Sequence, residues 1–317
     1  MLVLGIETSC DETSAAVVQD GRRIISQAIT SSLGFHKKYG GVIPEIASRM
    51  HAEKICFVTD AVLKEAGIKI KDIDLVAVTK EPGLISSLLV GISFARALSF
   101  TIAKPLIDLD HIEAHIYANF LEKDHSKIRF PFIGLVISGG HTCLFLVKNF
   151  KDIKLIGTTF DDASGEAFDK VAKILGLAYP GGVAIENLVK GRSFNRIKFS
   201  CGKEVEGLDF SFSGIKTAVL YYVKNKKVLT HKDKIDIAAS FQEAVVDVLI
   251  EKSYLACRNN RVKTLLVGGG VAANARLRER LFELEADKAI KVYFPPKLLC
   301  TDNAAMVAGL GYQLYKN

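Results

Sequence analysis

The chain has 317 residues, of which 49% are hydrophobic and 24% charged, and its formal net charge is +7. This composition excludes a disordered chain, and the length suits two lobes of roughly 130 to 180 residues each. The six cysteines form no Cys-x-x-Cys pair, which is typical of reduced thiols in a cytosolic protein.

A strand, a short turn and a second strand are predicted at the start of the chain. Residues 2–9 are an apolar run that ends in small polar residues, and residues 13–18 return after Cys10, Asp11 and Glu12. Met1 leads directly into the first strand, without a basic leader or cleavage site. We therefore expect a soluble, cytoplasmic protein.

The next predicted elements are a strand at 75–79 and a helix near 86–103. The apolar stretch from Leu84 to Ile107 is interrupted by Gly91, Arg96 and Lys104. We therefore expect a buried helix here and no membrane span.

His111 and His115 are the strongest candidates for metal ligands. Residues four apart lie on one face of a helix, so both imidazoles can reach one divalent ion. Asp108 and Asp110 precede this helix, and Asp302 in a distant acidic loop would complete a His-His-Asp set that suits iron or zinc. The alternative is an ordinary helix with two polar residues on its exposed side.

The same helix argues against a zinc protease. Glu113 is two residues from each histidine and therefore points away from their face. The spacing also differs from the His-Glu-x-x-His pattern of metalloproteases.

The strand, turn and strand pattern recurs in the second half of the chain. Residues 132–137 lead through Ser138-Gly139-Gly140-His141 into residues 142–147, and residues 264–267 lead through three glycines into a helix near Ala272. Strands that alternate with helices predict mixed sheets covered on both faces, in two similar lobes with a cleft between them. Glycine turns at strand ends let backbone N–H groups approach an anion, which favours a nucleotide site.

An acidic segment lies between these strands. Asp161 and Asp162 are expected to open a helix and cap it, whereas Asp169, farther along, is a candidate to accept ribose hydroxyls. The turn through Tyr179-Pro180-Gly181-Gly182 could lie flat against a sugar or base.

Seven ordered motifs across essentially the whole chain resemble the bacterial TsaD family of tRNA threonylcarbamoyltransferases. They are Glu7-Thr8-Ser9-Cys10-Asp11-Glu12-Thr13, His111-x-Glu-x-His115, Ser138-Gly-Gly-His-Thr142, Gly165-Glu-Ala-Phe-Asp169-Lys, Tyr179-Pro-Gly-Gly182, Gly269-Gly-Val-Ala-Ala-Asn274 and Thr301-Asp-Asn-Ala-Ala305. The resemblance implies an α/β protein with the two-lobed actin/Hsp70-like (ASKHA) fold. One departure is Val183, where the family commonly has proline.

The resemblance also implies the site residues. The metal ligands would be His111, His115 and Asp302, with iron as the usual ion and zinc as an alternative. The residues that contact the nucleotide-linked substrate, or ATP and ADP analogues, would be Val136, Ile137, Ser138, Gly139, Gly140, Asp169, Gly182, Glu186 and Asn274. Asp11 and Glu12 are our own candidates for the catalytic proton acceptor.

The implied activity is transfer of threonylcarbamoyl from threonylcarbamoyl-adenylate to N6 of the adenosine 3′ of the anticodon in tRNAs that read ANN codons, with release of AMP. The anticodon arm would bind basic groups such as Arg22-Arg23, Lys37-Lys38, Lys224–Lys227 and the arginines at 276, 278 and 280. Implied protein partners are a TsaB-like paralogue on the N-terminal lobe and a TsaE-like ATPase, with a TsaC-like enzyme that supplies the adenylate.

The expected lobes are 1–128 plus 303–317, which carries the metal helix and the partner surface, and 129–302, which carries the nucleotide turns. Two other functions stay open at this stage. One is an ATP-dependent conformational switch of the same fold, and the other is a metalloprotease.

Overall fold

The computed structural model describes residues 1–36, 39–122, 128–191, 197–201 and 205–316, so Lys37 and Lys38 lie outside the described residues. The chain divides into two compact units, unit 1 with residues 1–128 and 295–317 and unit 2 with residues 129–294. The segment 295–302, which carries Asp302, therefore belongs to unit 1 and not to the second lobe where the sequence analysis put it.

Each unit contains one five-stranded mixed sheet. The strands of unit 1 are β1 (Leu2–Glu7), β2 (Glu12–Gln19), β3 (Arg23–Ser31), β4 (Leu75–Glu81) and β5 (Leu106–Asp110). Those of unit 2 are β6 (Phe132–Ile137), β7 (Thr142–Asn149), β8 (Asp152–Thr158), β9 (Thr264–Gly268) and β10 (Lys291–Tyr293).

The two sheets have the same topology. Their strand orders are β3-β2-β1-β4-β5 and β10-β9-β6-β7-β8. In each sheet the first three strands form antiparallel pairs. The fourth strand pairs parallel with the first, and the fifth pairs parallel with the fourth. The predicted duplication of mixed α/β sheets is confirmed.

The described α-helices follow the alternation predicted from the sequence. They are α1 (Leu33–His36), α2 (Pro44–Ala66), α3 (Ile85–Ile102), α4 (His111–Tyr117), α5 (Ser164–Ile174), α6 (Gly181–Val189), α7 (Ser213–Lys224), α8 (His231–Asn260), α9 (Ala275–Lys288) and α10 (Ala304–Lys316). Short 3-10 turns lie at Ile70–Asp72, Ala118–Phe120, Gly270–Ala273 and Lys297–Leu299.

Helices cover both faces of the unit 1 sheet. Leu4 and Ile6 of β1 pack with Ile55, Val58 and Val62 of α2 in one core. Gly5, between them, faces the opposite side, where the start of α10 lies against the strand. Because successive side chains of a strand alternate in direction, β1 needs apolar or small residues at every position.

The prediction that the Leu84–Ile107 stretch forms a buried helix is wrong in part. α3 spans residues 85–102, but only 22% of it is buried, and Ile85, Leu89 and Phe100 are exposed. By length and apolar composition α3 is the one helix of the described residues that could cross a membrane, which is weak support for a span, since core helices of soluble proteins share these features. The helix lies against α2 and β4 of unit 1.

Candidate active site

Helix α4 holds both histidines because its start is capped. Asp110, at the end of β5, accepts hydrogen bonds from the N–H groups of Ile112 (2.7 Å) and Glu113 (3.0 Å). His111 is therefore the first residue of α4, His115 follows one turn later, and both are buried. Asp110 acts as a cap, and Asp108 lies 3.7 Å from Arg96, so neither acid belongs to the ligand group.

The loop before α10 positions Asp302. The side-chain oxygen of Asn303 accepts from Met306 N–H at 3.0 Å, and its amide donates to Thr301 O at 2.8 Å. Ala304 N–H donates to the Ser14 hydroxyl of β2 at 3.0 Å. These bonds tie the acidic loop to the helix after it and to the sheet.

The structure brings His111, His115 and Asp302 together. Asp302 Oδ1 lies 3.2 Å from His115 Nε2 and 3.5 Å from His111 Nε2. One ligand atom from each residue lies within 4.8 Å of the others, and this is the only such group of the described residues. Two imidazoles and a carboxylate are ligands that iron and zinc accept, and three of them leave positions open. The group thus allows a metal site.

A fourth residue of this region was missed by the sequence analysis. Glu7, at the end of β1, is completely buried, and its Oε2 lies 3.0 Å from His111 Nδ1. Thr79 Oγ1 donates to the same oxygen at 2.6 Å, and Ser9 N–H donates to Oε1 at 2.5 Å. The available signal was a glutamate at the end of an otherwise apolar strand.

The buried charges control each other's protonation. Burial opposes the charge of His111, but Glu7 and Asp302 outweigh it and raise the pKa of His111 well above its usual value. Burial likewise opposes the ionisation of Glu7 and Asp302, but His111 lowers the pKa of both carboxyls, and His115 also lowers that of Asp302. Burial lowers the pKa of His115, so this imidazole is neutral and able to bind a metal.

Asp11 and Glu12 lie in the turn between β1 and β2. Asp11 O accepts from the N–H and hydroxyl of Ser32, and Glu12 accepts from the Ser31 hydroxyl at 3.0 Å. Burial and the nearby Asp11 raise the pKa of Glu12 to about 9, and Asp302 contributes to the same shift. Glu12 is therefore protonated near neutral pH.

In unit 2 the predicted nucleotide turn follows β6. Gly165 N–H, at the start of α5, donates to Ser138 O at 3.2 Å. Gly269 has φ +89° and lies so close to Ile137 O that a side chain would collide with it. The turn is thereby held from two sides. Gly139 and Gly140 are exposed, and nothing lies within 4 Å of where their side chains would be.

The other predicted nucleotide residues are joined by hydrogen bonds. Asp169 Oδ1 accepts from Gly181 N–H at 2.6 Å, which ties α5 to the start of α6, and the space beside Gly182 is open. Glu186 accepts from Ala275 N–H at 3.2 Å and from the Asn274 amide at 3.4 Å. Burial raises the pKa of Asp169.

Asn274 also explains why the helix predicted near Ala272 begins later. A 3-10 turn occupies residues 270–273, and Asn274 caps α9 by accepting from Leu277 N–H at 3.0 Å. Its amide donates to Gln242 Oε1 at 3.0 Å, so the cap is fixed by α8 as well.

The prediction that Asp161 and Asp162 open and cap α5 is wrong. That helix begins at Ser164, and Asp161 instead accepts from Phe212 N–H (2.8 Å) and Ser213 N–H (3.2 Å) at the start of α7. Asp162 pairs with Lys170 of α5 at 2.6 Å and with Lys216 of α7 at 2.7 Å.

The arginines at 276, 278 and 280 are bound within the fold. Arg276 pairs with the buried carboxylate of Glu243 at 2.7 Å, and Arg280 pairs with the same residue. Arg278 donates to Ala272 O at 2.7 Å and lies over the ring of Phe294. This basic group stabilises unit 2. In the group at 224–227, Lys226 is likewise bound within the fold, because it pairs with Asp233 at 2.6 Å.

Two sheets of identical strand order, with a metal-competent His-His-Asp group in one unit and an open glycine turn in the other, are consistent with an enzyme of the actin-like fold. The solved structure of component A of (R)-2-hydroxyglutaryl-CoA dehydratase from Acidaminococcus fermentans is similar, with a TM-score of 0.58 and 19% identity over 100% of both chains. This likeness concerns the fold alone.

Sequence relatives define the family. The model of the family described as "TsaD: tRNA N6-adenosine threonylcarbamoyltransferase" matches residues 23–309. A protein of that name from Caldicellulosiruptor saccharolyticus is 50% identical over 98% of this chain and 92% of its own length. Another, from Dictyoglomus turgidum, is 50% identical over 100% and 94%.

The chain therefore belongs to the TsaD family and is an acyltransferase. The family relation confirms the resemblance stated from the sequence motifs. It favours neither an ATP-driven switch nor a metalloprotease.

Proposed function

We propose that the protein transfers the threonylcarbamoyl group of threonylcarbamoyl-adenylate to N6 of the adenosine 3′ of the anticodon in tRNAs that read ANN codons. The observation that carries the proposal is the buried His111-His115-Asp302 group in a chain that matches the tRNA N6-adenosine threonylcarbamoyltransferase family over residues 23–309. The tRNA substrate is that of the relatives' name.

One divalent metal ion is proposed at this group, with iron favoured and zinc as the alternative. His115 fits this role because its neutral imidazole has a buried Nδ1 without a hydrogen-bond partner in the described chain and an Nε2 that faces Asp302. A bound ion would supply Lewis-acid stabilisation of charge that develops on the transferred group. His111, His115 and Asp302 would hold it.

The adenylate is proposed to bind unit 2. Backbone N–H groups of Ser138, Gly139 and Gly140 would hold the phosphate, which the exposed turn permits. A carboxylate accepts several hydrogen bonds, so Asp169 can bind a ribose hydroxyl in addition to Gly181 N–H.

The other predicted contacts of the adenylate fall into two classes. Gly182 offers open space beside the ribose. Glu186 and Asn274 bind each other and the start of α9, so they shape the site through that helix, together with Val136 and Ile137 at the end of β6. ATP and ADP analogues should bind the same residues.

The reaction is an acyl transfer in which N6 forms a bond to the carbamoyl carbon. The bond from that carbon to the phosphate oxygen breaks, AMP leaves, and N6 loses a proton. Because Glu12 is already protonated near neutral pH, we propose that Asp11 accepts this proton. Glu12, which is neutral, would lie next to Asp11 in the chain and would not act as the base.

The partners are proposed from the same family relation and from surface chemistry. Phe57 of α2 and Phe100 of α3 are 72% and 90% exposed, and Ile85 and Leu89 of α3 are exposed as well. Large exposed apolar side chains favour a protein interface, so a TsaB-like paralogue is proposed to bind here. A TsaE-like ATPase and a TsaC-like source of adenylate complete the cytoplasmic system.

The test is a transfer assay with the purified chain, its partners, unmodified tRNA and threonylcarbamoyl-adenylate, read by nucleoside mass spectrometry. We expect threonylcarbamoyladenosine from the wild-type chain and its loss in His111→Ala. His231→Ala, a change of the same kind at an exposed position of α8, should retain activity. Absence of product from the wild-type chain, with ATP hydrolysis intact, would contradict the proposal.

A further inference from the structure

Glu7 is a carboxylate that the reaction as proposed above does not use. Its side chain is 0% exposed. Burial of a carboxylate is costly unless hydrogen bonds and an opposite charge compensate it. Three donors provide this compensation, from Ser9 N–H, Thr79 Oγ1 and His111 Nδ1.

The three contacts fix the direction in which the carboxylate faces. Ser9 N–H holds Oε1 from the turn after β1, and Thr79 Oγ1 holds Oε2 from the neighbouring strand β4. Oε2 is thereby kept 3.0 Å from His111 Nδ1, which lies on α4. The position of Glu7 is set by three separate segments of unit 1.

The contact between Glu7 Oε2 and His111 Nδ1 determines which nitrogen of His111 is available to bind a metal ion. Both Glu7 Oε2, at 3.0 Å, and Ser9 Oγ, at 3.2 Å, lie against Nδ1. A carboxylate only accepts, so Nδ1 carries the proton that it shares with Glu7, and an imidazole that loses its other proton to bind a metal has its lone pair at Nε2. Nε2 is also the nitrogen that faces Asp302 Oδ1, at 3.5 Å. His115 differs, because its Nδ1 has no hydrogen-bond partner among the described residues.

We propose that Glu7 is a positioning residue for His111, which fixes the imidazole ring and makes Nε2 its metal-binding nitrogen. The inference rests on the metal ion of the proposed function. Carboxylates that hold a ligating histidine in this way affect metal affinity about 10- to 100-fold. Glu7 would therefore contribute to metal retention without contacting the metal.

Glu7→Gln tests the proposal with little change in side-chain volume. A glutamine presents one oxygen and one NH2 group, whereas the N–H of Ser9 and the groups at Thr79 and His111 all donate to the two oxygens of Glu7. At least one donor must then face an NH2 group. Glu113→Gln is the matched control, because it makes the same change of carboxylate to amide on α4 at a residue outside the ligand group.

The measurement is zinc affinity of the full-length chain by competition with a chromophoric chelator. We expect Glu7→Gln to weaken zinc binding about 10- to 100-fold and Glu113→Gln to leave it near the wild-type value. Equal affinity of Glu7→Gln and wild type would overturn the role of Glu7 while leaving the metal of the proposed function in place. A wild-type chain that binds no zinc or iron would instead overturn that metal, and this inference with it.

A second measurement does not depend on the folding of a variant. Nitrogen NMR of the zinc-loaded wild-type chain reports which imidazole nitrogen carries the proton. The proposal predicts a protonated Nδ1 and a zinc-bound Nε2 for His111. Zinc bound at Nδ1 of His111 would overturn it.

Discussion

The packing of α10 on β1 can be tested by a single methyl group. In Gly5→Ala the new Cβ would lie 2.7 Å from Ala308 N and 2.9 Å from Ala308 Cβ, and it would collide with Ala304 O. Ordinary van der Waals contact begins at 3.4 Å. The difference between 2.7 Å and 3.4 Å means that α10 must retreat from β1 by at least about 0.7 Å, and the closer contact with Ala304 O requires more.

Such a retreat matters because Asp302 lies two residues before α10. Its Oδ1 is 3.2 Å from His115 Nε2, and metal ligands tolerate distance errors of only about 0.2 Å. We therefore expect Gly5→Ala to lower zinc affinity at least about tenfold, or ~1.4 kcal/mol. The overpacking itself should destabilise unit 1 by about 1–3 kcal/mol.

The assay pairs zinc competition with urea unfolding of the apo chain, followed by hydrogen exchange in β1 and α10. Gly214→Ala in α7 is the control, because nothing lies within 4 Å of its new Cβ and alanine favours a helix by about 1 kcal/mol. Wild-type zinc affinity and stability of Gly5→Ala would refute the argument that close packing of α10 positions Asp302.

Three further outcomes are expected. The pKa of Glu12 rises from 4.5 in the unfolded chain to about 9 on folding, so wild-type stability should fall as pH rises between these values. The glutamine of Glu12→Gln cannot ionise, so the melting temperature of this variant should rise relative to that of the wild type as pH increases over the same range. A constant difference in melting temperature across this range would contradict the raised pKa of Glu12. Asp169→Asn removes the carboxylate that is proposed to bind the ribose, so it should weaken adenylate binding in calorimetry. It keeps an oxygen for Gly181 N–H, so the melting temperature should not fall. The ring of His51 forms hydrogen bonds with Thr13 Oγ1 at 2.8 Å and with a backbone carbonyl at 3.0 Å. His51→Leu should therefore lower the free energy of unfolding by about 1–3 kcal/mol, and an unchanged melting temperature would rule this out.

The sequence contained enough information for the metal group because its main signal is local. Two histidines one helical turn apart need only a helix to share a face, and Asp302 was found as an acid in a short polar loop before an apolar helix. Six of the strands, β1, β2, β4, β6, β7 and β9, were predictable for the same reason, since short apolar runs bounded by turns have few alternatives. The strands β3, β5, β8 and β10 were not predicted, and β3 and β8 are largely exposed or half-buried.

Features that depend on distant pairing were not predictable. The contact from Glu7 to His111 joins residues 104 apart in the chain, and Asp161 caps a helix about 50 residues later. A carboxylate has the same appearance in sequence whether it caps the nearest helix or a remote one. The exposed side of α3 was also missed, because apolar composition does not distinguish a buried helix from one with apolar side chains on an exposed side.

The metal group assembles only when three distant segments of unit 1 have folded together. Glu7 comes from the first strand, His111 and His115 from α4, and Asp302 from the loop before the last helix. In the unfolded chain these groups are far apart, so a metal ion that binds this group would bind the folded unit in preference and would stabilise it. Residues 295–317 pack with 1–128 in one unit, which brings Asp302 to the two histidines of α4, and α10 lies in close contact with Gly5 of β1 two residues after Asp302.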